Sequence, residues 1–191
     1  MPLGPKPNGF SMVELLLAIV ISLVLMAGVY TVFQSQQVAF SSQEQINEMN
    51  QNIRAVLDLM TREVRLAGYK TSSSSFNGIA TAQLSTIEVL ADINQDGIIL
   101  GDTEDVTYSY NANTLQISRN GVNLPIADNI TNLTFVYTLV DGTTSSSPGS
   151  LANIRKVGIS ITARTKNPVV STGQYWTITL TSDVTPRNLS S

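Results

Sequence analysis

Between Leu15 and Phe33 the chain runs 19 residues without a charge, and only Ser22, Gly28 and Thr31 interrupt its apolar character. A helix rises about 1.5 Å per residue, so this run spans roughly the ~30 Å hydrocarbon core of a bilayer. Glu14 stands at its entrance, where an isolated carboxylate in lipid costs about 3 kcal/mol. That acid calls for a partner charge, and the neighbouring sequence supplies none. An ordinary secretory signal has a shorter apolar region of about 7–15 residues that ends at a small-residue cleavage site. The segment Tyr30-Thr31-Val32-Phe33-Gln34 is not such a site, and a plain single-span anchor leaves Glu14 unexplained.

Lys6, Gly9, Phe10 and Glu14 precede and open the run. Together they resemble the class III signal of type IV pilins and pseudopilins, in which a short basic leader is followed by Gly, Phe and, four residues after the Phe, Glu. The resemblance implies that prepilin peptidase cuts between Gly9 and Phe10 and that Phe10 is then N-methylated. It implies that Glu14 neutralises the new amine of a neighbouring subunit as the helices stack into a filament. Residues 1–9 also contain Pro2, Pro5, Pro7 and Gly4, which resist helix formation and keep a cut site extended. Lys6 lies before the span and no further Lys or Arg follows until Arg54, which points to a single pass, N-in and C-out.

Beyond Phe33 polar residues arrive without a break in helical periodicity. Ile46, Met49, Ile53, Val56, Leu57, Met60, Val64 and Ala67 recur as one stripe of a 3.6-residue period. The pattern predicts a single helix from about Met12 to about Ala67, with Gly68 as its C-cap. Thr71–Ser75 is a flexible connector. Strand-like alternation follows over Thr86–Ala91, at Val106, Tyr108 and Tyr110, at Leu115 and Ile117, at Leu133, Phe135, Tyr137 and Leu139, at Val157, Ile159, Ile161 and Ala163, and over Tyr175–Thr181. Asn120-Gly121 is a two-residue hairpin signal. Trp176, Ile178 and Leu180 are expected to point inward. Each strand offers one apolar face, so the sheet is antiparallel, of about five to seven strands, and covered by the Ile46–Ala67 stripe.

The expected fold is α+β, a long N-terminal helix packed on an antiparallel sheet. The expected divisions are a cleaved leader over 1–9, a transmembrane and assembly helix over 10–33, its amphipathic continuation over 34–69, and a β-rich extracytoplasmic domain over 70–191. The helix end Arg62-Glu63-Val64-Arg65-Leu66-Ala67-Gly68-Tyr69, the segment Gly121–Leu139 and the closing Val184-Thr185-Pro186-Arg187-Asn188-Leu189 are similar to minor pilins of the PilW type. The last two segments are also similar to the J-type pseudopilins of type II secretion.

Asp92-Ile93-Asn94-Gln95-Asp96-Gly97-Ile98 is a D-x-N-x-D-G run, with oxygen donors spaced to wrap a backbone around Ca²⁺. Asp92, Asn94, Asp96 and the Ile98 carbonyl are candidate ligands, with Glu104 as a nearby off-register acid. The alternative is a loop of Asx-turns, for which Asp, Asn and Gly are equally suited. No cofactor is otherwise required. The chain has no histidine and no cysteine, which excludes a Ser-His-Asp triad, His-ligated zinc and disulfides. A net charge of -3 argues against nucleic-acid binding. Arg54, Arg62 and Arg65, with Asp58 and Glu63 nearby, form a polar helix flank. It is either solvated or in contact with adjacent subunits.

The chain is therefore expected to be a non-enzymatic minor pilin-like subunit that is stored in the inner membrane and built into an extracellular pilus fibre or a periplasmic pseudopilus. Its expected partners are prepilin peptidase, other pilin subunits met through the N-terminal helix, and an inner-membrane assembly platform. The alternatives are a J-type pseudopilin of a secretion or DNA-uptake system and a membrane-anchored Ca²⁺-binding or adhesive module that never polymerises.

Overall fold

The computed structural model describes residues 9–70, 75–121, 124–170 and 172–189. The leader ahead of Gly9, most of the Thr71–Ser75 connector, and Val122 and Asn123 in the hairpin loop lie outside the described residues. Helix α1 runs from Met12 to Leu66 as 55 continuous residues. It divides between two compact units, one ending at Glu44 and one beginning at Gln45.

In the first unit every residue of α1 from Met12 to Ser41 is exposed. Its apolar stretch is long enough to cross a membrane. An apolar helix with no protein cover is stable where lipid takes the place of a core.

In the second unit α1 becomes one-sided. Met49, Ile53, Val56, Met60 and Val64 are buried, as the stripe requires, while Asp58 and Arg62 form an exposed pair at 2.5 Å. The helix ends where Gly68 adopts a φ of 77°, a left-handed conformation that costs glycine little. Gly78 passes so near this end that a Cβ placed on it would lie 2.1 Å from the Gly68 nitrogen. A side chain at Gly78 would push the incoming strand off the helix, and one at Gly68 would press on the Asn188 carbonyl at 3.1 Å.

Among the described residues the strands form two antiparallel sheets, not one. The first holds β1 (Ile79–Ala82), β2 (Thr86–Leu90), β3 (Asp105–Asn111), β4 (Gln116–Arg119) and β5 (Pro125–Ala127), in that spatial order. The second holds β6 (Ile130–Leu139), β7 (Thr144–Ser145), β8 (Ile154–Arg164) and β9 (Thr177–Val184), ordered β7-β6-β8-β9. Tyr137 donates its hydroxyl to the Gln83 carbonyl at 2.9 Å, and the Phe135 amide donates to the Leu84 carbonyl at 2.7 Å. These bonds join the sheets, and Ile87, Tyr108, Ile117, Leu133, Phe135, Ile159 and Ile161 form one core with the helix stripe.

Two local expectations change. The hairpin between β4 and β5 is wider than a two-residue turn, because the Arg119 amide donates to the Leu124 carbonyl at 3.1 Å across four intervening residues. Asn120 instead spends its side chain on the Thr107 amide and the Asp102 carbonyl. Trp176 is 55% exposed and precedes β9, so it is not a core residue.

Candidate functional site

Two regions carried the chemical expectations. The first is the mouth of α1. Ser11 is the residue before the helix, and its hydroxyl accepts the Val13 amide at 3.3 Å. Glu14 reaches back so that its Oε2 accepts the Ser11 amide at 2.9 Å. This is a reciprocal capping box, and it satisfies two of the amide protons that a helix start leaves without partners. The partner that Glu14 called for is thus supplied in part by its own chain. Its signal, Ser11-Met12-Val13-Glu14, was present in the sequence as S-x-x-E. Among the described residues Oε1 of Glu14 has no hydrogen-bond partner. Gly9 and Phe10 lie just outside the helix, both exposed, with Phe10 at 84%. A peptide bond there lies outside the helix, is accessible and is followed four residues later by the capping acid.

The second region is the loop from Asp92 to Glu104, between β2 and β3. The structure brings its polar residues together, around the loop's own backbone. Asp92 accepts the Gly97 amide at 3.1 Å, Asn94 accepts the Asp96 amide at 2.9 Å, and Asp96 accepts the Ile98 amide at 2.8 Å. Glu104, 3% exposed, reaches across the loop and takes the Asn94 and Leu100 amides, both at 3.1 Å. Glu104 therefore does join the loop despite its off-register position. Gln95, Gly97 and Gly101 supply the positive φ angles that the turns need. Among the described residues no three acidic groups converge as a metal cage would require. The donors are of the right type for Ca²⁺, but their hydrogen bonds are those of a loop that closes on itself.

A third cluster escaped the sequence reading. Glu63 is not on the solvated helix flank. It accepts Arg119 Nη2 at 2.8 Å, with both side chains only about a fifth exposed, and it also accepts the Tyr108 hydroxyl. Arg119 Nη2 further donates to the Asp102 carbonyl at 2.8 Å. Burial first, and the bond to Glu63 second, push the Tyr108 phenol well above its ordinary range. The cluster ties α1 to β3, β4 and the foot of the 92–104 loop. It is a structural clamp.

Comparison with known proteins agrees with this geometry. Residues 5–30 match the prokaryotic N-terminal methylation motif, and residues 42–182 match prepilin peptidase-dependent protein B. The second match covers most of the chain. The chain belongs to the prepilin peptidase-dependent protein B family. It is thus a member of the type IV pilin superfamily, whose proteins are structural and not enzymes. No curated protein matches it. Among solved structures it is similar in fold to a type IV-like pilin from Thermus thermophilus, with a TM-score of 0.50 and 14% identity over 74% of this chain and 98% of that one. Family membership carries with it processing by prepilin peptidase, and the methylation motif covers Gly9, Phe10 and Glu14.

Proposed function

We propose that this family member is a minor pilin-like structural subunit of a type IV pilus, taking part in its assembly or priming. In this reading the chain is anchored N-in and C-out in the inner membrane and cut between Gly9 and Phe10. It is then N-methylated at Phe10 and drawn into the fibre through α1. The observation that carries the reading is the acid at the mouth of the bare apolar helix. Glu14 spends Oε2 on the Ser11 amide, and Oε1 remains for the amine of a neighbouring subunit. In hydrocarbon, where charges are poorly screened, that pairing orients each incoming helix. Glu14→Ala is expected to insert into the membrane as the parent does and to lose incorporation into the fibre at least tenfold, scored by immunoblot of sheared filaments. Normal incorporation of the variant contradicts the assignment. A J-type pseudopilin uses the same helix chemistry, and pull-down of secretion rather than pilus components separates the two.

Calcium binding by the 92–104 loop is a separate proposal, supported by its D-x-N-x-D-G donors and by the burial of Asp92 and Glu104 at its base. Asp92, Asn94, Asp96, the Ile98 carbonyl and Glu104 would hold the ion once the loop exchanged its internal hydrogen bonds for the cation. Calcium at millimolar concentration is expected to raise the melting temperature of the detergent-solubilised chain by a few degrees, and Asp96→Ala is expected to abolish the shift. No shift in either protein removes the site.

A further inference from the structure

The two sheets have four edges, and three of them are blunted. β1 has four residues and a bulge between Ile79 and Thr81; β5 has three and opens with Pro125; β7 has two. Short strands, bulges and prolines are the usual devices that stop a sheet edge from pairing with another chain. β9 has none of them. It is eight residues long, pairs with β8 in eight consecutive registered steps, and contains neither proline nor lysine.

The direction of its free backbone groups follows from one bond. The Thr165 amide donates to the Trp176 carbonyl at 2.9 Å, and 165 and 176 are opposed in the β8–β9 register. Groups alternate along an antiparallel strand, so Ile178, Leu180, Ser182 and Val184 bond to β8. Thr177, Thr179, Thr181 and Asp183 therefore aim their amides and carbonyls away from it. Among the described residues nothing pairs with that outer side. The Thr179 hydroxyl lies 2.9 Å from that of Thr162, in keeping with the close approach of a pair that does not bond through its backbone.

We propose that β9 is an acceptor edge for an extended strand of a different polypeptide, which continues the second sheet by backbone hydrogen bonding. An exposed row of peptide groups at strand spacing is complementary to another strand and to no helix or small molecule. The side chains define the rest of the partner. On the helix-covered face Ile178 and Leu180 are only half-buried and Trp176 is exposed, an apolar row left incomplete at the edge. On the opposite face Thr177, Thr179 and Thr181 form a hydroxyl row. The partner strand thus alternates apolar residues beside the first row with small or hydroxyl residues beside the second.

A second copy of this chain is the less suitable occupant. Gln45 accepts the Asn167 amide near the start of β9, and Thr61 bonds Ser182 near its end, so this part of α1 runs in the same direction as β9. Antiparallel pairing of two β9 strands would point two copies of α1 in opposite directions. Chains anchored in one membrane, as in the function proposed above, do not adopt that arrangement.

The test places a photo-crosslinking phenylalanine at Thr177, Thr181 or Asp183 of the full chain in its native cells and maps the products by mass spectrometry. Crosslinks are expected on one other protein, at positions two residues apart in a single segment. Absence of crosslinks, scattered sites, crosslinks to helix or lipid, or crosslinks to this chain itself overturn the proposal. Thr179→Pro removes one outward amide and spares the bonds to β8. It is expected to lower the Thr181 crosslink at least tenfold while membrane insertion and Glu14-dependent fibre entry are scored separately. An undiminished crosslink contradicts the proposal. Amide exchange on the unmodified chain gives an answer independent of that variant's folding. Thr179 and Thr181 are expected to be protected in the assembled state and to exchange freely in the purified chain, and equal exchange in both overturns the proposal.

Discussion

At the scale of single residues the most consequential group is Glu63. The 3.6-residue stripe leaves it near Asp58 and Arg62 on the polar flank of the helix, open to solvent or to a neighbouring subunit. What decides its direction is Tyr108, a buried phenol on β3 that needs an acceptor, and Arg119, which completes the pair from β4. No single-sequence periodicity carries that information, since the three residues are brought together only by the fold. The two buried phenols, Tyr108 in this clamp and Tyr137 between the sheets, have a pH signature. Burial raises both Tyr108 and Tyr137 above their ordinary values, so each phenol stays protonated in the folded chain under conditions where the unfolded chain has begun to ionise. Their contribution to stability is complete below pH about 10, the unfolded value, and is lost progressively as the pH rises above it. Chemical denaturation of the detergent-solubilised chain is expected to show this alkaline loss, and Tyr137→Phe is expected to make it shallower. Glu63→Ala, which leaves Arg119 and Tyr108 half-satisfied, is expected to cost about 2–4 kcal/mol at neutral pH in the same measurement.

At the scale of elements, α1 was the most legible part of the molecule. Its stripe from Met49 to Ala67 is buried as spaced except at the half-buried Leu57, and its end falls at Leu66, one residue before the expected limit. The capping box Ser11–Glu14 is equally visible as a four-residue S-x-x-E pattern. The sheets were legible only in part. Alternation marked the long strands β2, β3, β6 and β8, but β5 and β7, at three and two residues, are too short to show any period. Alternation is also silent about which edges meet, so the division into two sheets could not be read. The closure of the helix end is the element-level feature most exposed to mutation. Gly78→Ala would place a methyl group against the Gly68 backbone, and backbone cannot swing aside as a side chain can. The substitution is expected to destabilise the chain by about 3 kcal/mol or more. A thermal melt that matches the parent's would show that the β1 entry is not tightly held against the helix.

At the scale of the whole molecule, the chain couples an uncovered apolar helix to a well-packed β-rich unit with its own continuous core. The second unit explains how the protein stays folded outside the membrane, and the first explains how it is held there. Their combination matches a family defined by dependence on prepilin peptidase. The central claim is that the acid-capped helix becomes a chain terminus. N-terminal sequencing and intact mass of the protein recovered from cells test it directly. The account predicts a chain that begins at Phe10 and carries a methyl group on its amine. A mature chain that still begins at Met1, or that is cut within or beyond the apolar run, would contradict it.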